Sequence, residues 1–172
     1  MRVRGEGLLL RAYTAADAPA LESAFADPDT RRWNPPPDPL DVEAWWRRRA
    51  DWSNGAHVTW AVADPADDTL LGDVSVHELD PVQGTAEIGY TVLPAARGRG
   101  VARRAVRLAT DWVFAELPIV RVQLLHATGN AASCAVALAA GFVLEGTLRS
   151  SYVYGDGARH DEHVHARLAT DR

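Results

Sequence analysis

The chain is short of cysteine: Cys134 is the single one in 172 residues. No disulfide can close inside it, and no cysteine-based metal cluster can form. It also lacks a long apolar run. The N-terminal stretch MRVRGEGLLLRAYTAAD starts basic, but three leucines in a row are too few for a signal-peptide core, and nothing approaches membrane-spanning length. A soluble, cytoplasmic chain with no membrane partner is expected. A surplus of positive charge is missing too: 18 Lys and Arg face 23 Asp and Glu, for a net charge of −5. That balance argues against nucleic acid as a partner and suits a cationic amine substrate. No internal repeat and no domain boundary is visible, so residues 1–172 are expected to form one domain. What the chain does have is ordinary globular composition, 47% hydrophobic and 24% charged, enough to bury a core.

Apolar spacing and turn residues divide the chain. Leu8-Leu9-Leu10-Arg11 reads as the first strand. Thr14 or Asp17 can cap a helix running to about Phe25, and Asp27-Pro28-Asp29 stops it. Residues 33–39 hold four prolines within five positions, so an extended, semi-rigid connection is expected, with Trp33 packed into the core. Val42, Trp45, Trp46 and Arg49 follow helical spacing within residues 41–51. Asn54-Gly55 signals a turn. Strands are expected at 59–63, 70–77 and 85–93, the last ended by Pro94. A helix from Val101 presents Val101, Ala105, Leu108, Ala109 and Trp112 on one face and Arg103, Arg104, Arg107 and Asp111 on the other. Residues 119–125 form an apolar strand. Asn130 caps an alanine-rich helix that Gly141 closes. Strands at 142–154 and 160–168 pair across Gly155-Asp156-Gly157. The order β-α-α-β-β-β-α-β-α-β-β implies an α/β (α+β) fold, one mixed and mostly antiparallel sheet with helices on both faces.

The chemistry centres on Arg97-Gly98-Arg99-Gly100-Val101-Ala102, between a strand and a helix. A helix N-terminus offers unpaired N–H groups and a positive dipole end, which suit a phosphate or pyrophosphate. Gly98 and Gly100 let the backbone approach a ligand, and Arg97 and Arg99 can add charge-assisted bonds. Gly-x-Gly alone is equally consistent with a glycine-rich turn carrying surface arginines. The Walker pattern is absent, and the dinucleotide fingerprint lacks its third glycine at Arg103.

Wider spacing narrows the reading. Glu87-Ile88-Gly89-Tyr90-Thr91-Val92-Leu93-Pro94, then Arg97-x-x-Gly100-x-Ala102, Asn130-x-x-Ser133 and Gly141-Phe142-x-x-Glu145-Gly146 resemble the GCN5-related N-acetyltransferase (GNAT) superfamily, over nearly the whole chain. Within it the chain is similar to the branch of Rim-type (RimJ/RimL-like) ribosomal-protein alanine N-acetyltransferases. The resemblance implies acetyl-CoA as donor and a primary amine as acceptor, either a protein N-terminus or a small molecule, with direct attack in a ternary complex. It implies a strand that splays from its neighbour at a bulge. The pantetheine arm then lies along Thr91, Val92 and Leu93, and the pyrophosphate rests on Gly98, Arg99, Gly100, Val101, Ala102 and Arg103. Asn130 and Ser133 fall near the pantetheine and thiol end. Glu87 matches a general base, with a structural strand glutamate as the alternative reading. Ser133 matches a group that protonates the leaving thiolate, or supports the cap at Asn130. Tyr152 is a second acid or acceptor-site candidate; the Rim-type branch can carry a glutamate there. A homodimer is compatible with folds of this kind.

Other residues carry less. His163 and His165 share a strand face beside His160, Asp161 and Glu162, but one strand supplies no third ligand in fixed geometry, so no metal is expected. His77 and His126 end strands and can face an acceptor pocket or simply pack. Cys134 follows Ser133 and reads as a small buried hydrophobe, with a ping-pong thiol as the alternative. Trp33, Trp45 and Trp46 are the tryptophans able to line an acceptor cleft. The competing functional class is an acyl-CoA-binding or regulatory module without turnover.

Overall fold

The computed structural model describes residues 1–53 and 55–171, so Asn54 of the expected Asn54-Gly55 turn lies outside the described residues. The elements are β1 Arg2–Gly5, β2 Leu8–Arg11, α1 Ala18–Ala26, α2 Pro28–Trp33, α3 Val42–Ala50, β3 Val58–Ala63, β4 Leu70–Asp80, β5 Thr85–Val92, α4 Val101–Glu116, β6 Arg121–Ala127, α5 Ala131–Ala139, β7 Val143–Val153 and β8 Arg159–Leu168. The strands form one sheet in the order β1-β2-β3-β4-β5-β6-β8-β7. Every neighbouring pair is antiparallel except β5 with β6. A parallel pair needs a crossover, and α4 supplies it.

Two elements depart from the sequence reading. A strand precedes the leucine run: Arg2–Gly5 pairs with Leu8–Arg11 through a turn in which Glu6 and Gly7 both have positive φ, 54° and 68°. That is the tight hairpin geometry that twist favours, and β1 has too few apolar residues to announce itself. The Asp27-Pro28 stop is also a start. The Asp27 carboxylate accepts the Thr30 N–H at 2.9 Å, Pro28 takes the first helical position, and α2 runs to Trp33.

Alternation along the central strands divides two cores. On one face α4 and α5 cover Trp60, Val62, Val74, Ile88, Val122 and Leu124, with Val101, Ala105, Val106, Ala109 and Val113 forming the buried stripe of α4. Leu108 and Trp112, expected in that stripe, sit at its edge, where Trp112 meets Trp60 edge-on at 5.0 Å. On the other face α1 and α3 pack Leu21, Phe25 and Trp45 against Tyr13, Ala61 and Leu70. Helices therefore cover both faces. Arg11, buried, joins three segments by donating to Asp17 at 2.8 Å and to Asp68 at 2.7 Å. Burial pushes Asp17 up and the Arg11 hydrogen bonds pull it down; the net is a lowered pKa, the carboxylate held ionised.

Candidate active site

The site begins where the parallel pairing ends. β5 and β6 share three residue pairs, Thr85 with Arg121, Ala86 with Val122 and Glu87 with Gln123. Beyond Glu87 the strands part, while β5 continues in register with β4 as far as Val92. The expected bulge is not on β5. The register shift lies on β4 between His77 and Asp80, where Glu78 takes a positive φ of 49°.

The parting leaves one edge of β5 free. Leu93 N–H donates to the Leu71 carbonyl at 2.9 Å, so that group is spent on β4. Antiparallel alternation then turns the backbone N–H and C=O of Tyr90 and Val92 outward, to the side β6 has left. The sequence reading placed Thr91, Val92 and Leu93 along a ligand. Of these, Val92 turns its main-chain groups outward, as Tyr90 does, while those of Thr91 and Leu93 face β4.

Two cavities open into this gap. One, of about 450 Å³, is lined by Tyr90, Thr91 and Val92, by Arg97, Gly98, Gly100, Val101, Ala102 and Arg103, and by Asn130, Ser133 and Val136. Gly98 and Gly100 have φ of 73° and 69°, the left-handed region open to glycine at little cost. Gly100 stands at the N-cap without a capping side chain, so the first-turn N–H groups of α4 lack the usual side-chain acceptor. Two arginines of the loop are differently placed from expectation. The Arg97 guanidinium is paired with Asp27 and also donates to Thr30 Oγ1 at 3.0 Å, which ties the loop to α2 at the cavity wall, where Asp29 and Thr30 also stand. Arg99 lies outside the lining, 4.0 Å from Asp64. Leu93 is also outside it, packed against both cores.

The second cavity, of about 1060 Å³, is lined by Glu87, His77, Asp73, Trp33, Trp45 and residues of the β7–β8 hairpin, including Tyr152, Tyr154 and Glu162. Both cavities share Trp33, Asn34, Tyr90, Thr91, Asn130 and Ser133, so they meet at the end of the β5–β6 gap. At that junction Tyr90 Oη and Ser133 Oγ are 3.0 Å apart in a hydrogen bond, and Asn130 Oδ1 accepts the Ser133 N–H at 3.1 Å. Asn130 thus caps α5 and holds Ser133 toward Tyr90. Burial pushes the Tyr90 hydroxyl up, partly offset by Ser133, which keeps it protonated.

Glu87 faces His77 across the β4–β5 pair, with Oε1 3.5 Å from Nε2. Trp33, expected in the core, stands instead in the cleft wall, edge-on to Tyr154 at 5.6 Å. Trp45 reaches the cleft from below; Trp46 lies outside its lining. Tyr152 lines the cleft but is 54% exposed. The neighbouring tyrosine is the buried one: Tyr154 donates to Glu162 Oε1 at 2.8 Å, and Ser151 donates to Oε2 at 2.6 Å. Burial and Glu162 together push the Tyr154 hydroxyl well above its usual value. Tyr90, Tyr154, Glu162 and Asp73 line the cleft but are not among the candidates the sequence offers. Tyr90 stood inside the Glu-Ile-Gly-Tyr motif; the other three carry no local signal, because register and hairpin packing alone bring them to the cleft.

Likeness to known proteins follows the same outline. The Acetyltransferase (GNAT) domain family matches residues 7–143. YdaF of Bacillus subtilis (strain 168), provisionally named a ribosomal N-acetyltransferase, is 36% identical over 116 residues, covering 67% of this chain and 61% of YdaF. The matched stretch therefore spans about three fifths of that relative's length. The crystal structure of ribosomal-protein-S5-alanine acetyltransferase from Vibrio fischeri superposes with a TM-score of 0.84 at 22% identity, covering 99% of this chain and 98% of that one. Spermidine N-acetyltransferase from Vibrio cholerae, solved with CoA and spermine, gives 0.81 at 22% identity, covering 97% and 98%. With the parted strands, the glycine loop and a family match over most of its length, the chain belongs to the GNAT acetyltransferases.

Proposed function

We propose that the protein transfers the acetyl group of acetyl-CoA to a primary amine by direct attack. The observation that carries this reading is the meeting of the two cavities at Tyr90, Asn130 and Ser133, beside the parted strands. The smaller cavity takes the donor. Its pyrophosphate rests on the main-chain N–H groups of residues 98–103 and the dipole of α4, and its pantetheine arm pairs with the outward groups of Tyr90 and Val92 as an added strand. The Arg103 guanidinium is the cation left for the phosphates, since those of Arg97 and Arg99 face Asp27 and Asp64.

The larger cavity takes the amine. Glu87, with His77 beside it, accepts a proton from the ammonium so that the neutral amine attacks the thioester carbonyl. The tetrahedral intermediate expels the thiolate, which takes a proton through the Ser133 and Tyr90 hydroxyl pair, while the former amine nitrogen gives its second proton to solvent, from which the pair is restored. Asp73, Glu162 and Glu87 give the cleft acidic groups that favour a cationic acceptor. YdaF and the V. fischeri structure carry ribosomal-protein names and the V. cholerae structure holds spermine, so N-terminal peptides and polyamines are the two acceptor classes to test. Tyr152, at the exposed rim, contacts the acceptor rather than the reacting atoms. A cytoplasmic location is consistent with these substrates.

The decisive measurement is thiol release from acetyl-CoA, with mass gain of +42 Da as about the expected signature of acetylation, against peptides beginning with Ala or Ser and against spermidine and spermine. Glu87→Gln should lower kcat by about 10²-fold or more while leaving acetyl-CoA affinity in place. Acetyl-CoA binding without thiol release across the panel would favour the non-catalytic module.

The oligomeric state enters through β7. It is an edge strand of 11 residues, exposed along nearly its whole length, with Val143, Leu144, Leu148 and Val153 at the surface. A long apolar edge is usually covered, and a second copy of the chain is the cover proposed here.

A further inference from the structure

The histidines of β8 have partners that the strand alone does not show. In the antiparallel register His126 of β6 lies opposite His163, and His165 lies two residues further along the same face. The first turn of α5 brings Cys134 over them. The ligand-bearing atoms of His126, Cys134, His163 and His165 all lie within 4.8 Å of one another. We propose that these four side chains form a binding site for a zinc-class transition-metal dication, three imidazole nitrogens and one thiolate. His160, grouped with them by sequence, belongs elsewhere: it pairs with Asp156 at 3.0 Å.

Three features carry the assignment. First, His126 Nδ1 contacts the Ala127 carbonyl at 2.9 Å. With the N–H on Nδ1, that bond fixes the tautomer and turns the Nε2 lone pair into the cluster, the outer support typical of a metal-bound imidazole. Second, Nε2 of His126 and Nε2 of His165 are 3.1 Å apart. A tetrahedral ion with metal–nitrogen bonds of about 2.0–2.1 Å places its nitrogen ligands about 3.3 Å from one another, so the spacing is close to one edge of that tetrahedron. Third, the cluster satisfies itself poorly as a hydrogen-bond network. Nδ1 of His163 is buried without a partner, in a cluster where His126 and His165 are themselves buried. Two neutral imidazoles sharing one proton leave lone pairs unused, and an ion accepts several lone pairs at once.

Four protein ligands close the coordination sphere, which assigns the site a structural role rather than a catalytic one. It would pin β6 and β8 to the turn of α5 that also carries Asn130 and Ser133. Binding displaces the Cys134 thiol proton to solvent, and the proton shared between His126 Nε2 and His165 Nε2 moves to His165 Nδ1, so that both Nε2 lone pairs face the ion. The site stands independently of the acetyltransferase reading, because its test requires no turnover.

The test uses the full-length chain, stripped with chelator and titrated with Co²⁺ and then Zn²⁺. One ion per chain is expected, with the intense visible bands of tetrahedral cobalt and a sulfur-to-cobalt charge-transfer band in the near ultraviolet, both bleached by zinc. Cys134→Ser should remove the charge-transfer band, and His163→Gln, at a half-buried position, should weaken zinc binding at least about tenfold. His160→Gln should leave uptake unchanged. Substoichiometric uptake by the native chain would overturn the site. So would native-like cobalt spectra and zinc affinity in the Cys134→Ser and His163→Gln proteins, each confirmed folded by circular dichroism.

Discussion

Asp73 is the residue where folding and binding pull in opposite directions. Burial raises its pKa, and Arg49 and the Tyr13 hydroxyl, which donates at 3.0 Å, offset only part of that rise. A carboxyl whose folded pKa lies above its unfolded value of 3.8 subtracts from stability once the pH exceeds that value, because the unfolded chain ionises first. Asp73→Asn keeps an oxygen for Tyr13 and removes the penalty. The variant should melt at a higher temperature at pH 7, with the gain shrinking as the pH falls from the raised folded value toward 3.8 and gone below it. Its KM for the amine should rise by about tenfold, with little change for acetyl-CoA. Paired melting curves and acceptor titrations check both halves. Single residues of this kind are the least legible part of the sequence. Glu87 and Ser133 could be named as candidates because they sit in short motifs. Asp73 lies in an apolar strand with nothing around it to mark it, and its environment is made by Tyr13 and Arg49 from two other segments.

At the scale of elements, the proposed acceptor side rests on a contact between α2 and the β7–β8 turn. Gly155 N–H donates to the Arg32 carbonyl at 2.9 Å, and a Cβ at Gly155 would collide with the Arg31 carbonyl. Trp33, at the end of the same helix, seals the seam against Tyr154. Gly155→Ala must therefore separate turn from helix, at a cost of about 1–3 kcal/mol. Thermal melts should register that loss. Kinetics should show a lower kcat/KM for the amine and a smaller loss of acetyl-CoA affinity, since α2 meets the donor loop through Asp27, Thr30 and Arg97. Most elements were readable because caps, glycines and apolar periods coincide, as at Asn130, Gly141 and the α4 stripe. Where they conflict, the reading failed. Asp27-Pro28 ends one helix and opens another with the same two residues, and that second helix builds the cleft.

At the scale of the molecule, the topology was legible as a sheet covered on both faces, but its neighbour order was not. Which strand lies beside which depends on contacts across long separations, such as Thr85 with Arg121 and Arg11 with Asp68. The same holds for the proposed association through β7. Light scattering during gel filtration should give twice the monomer mass, and a charge at Leu148, facing outward on the edge, should shift it to the monomer. The metal cluster is a molecular-scale feature for the same reason, as its ligands come from β6, α5 and β8.

The parting of β5 and β6 has a mechanical consequence. Three residue pairs are the only sheet pairing between the five N-terminal strands and the three C-terminal ones among the described residues. The sheet is two leaves joined by a short spine, and a ligand lying in the gap supplies rungs to the free edge of β5. Acetyl-CoA should therefore slow amide hydrogen exchange at Tyr90 and Val92, where the open edge takes the ligand. The slowing should spread into β6 and β8, which it does not touch, because closing the gap stiffens both leaves together. Exchange measured by mass spectrometry with and without the ligand would register the substrate as a missing part of the sheet.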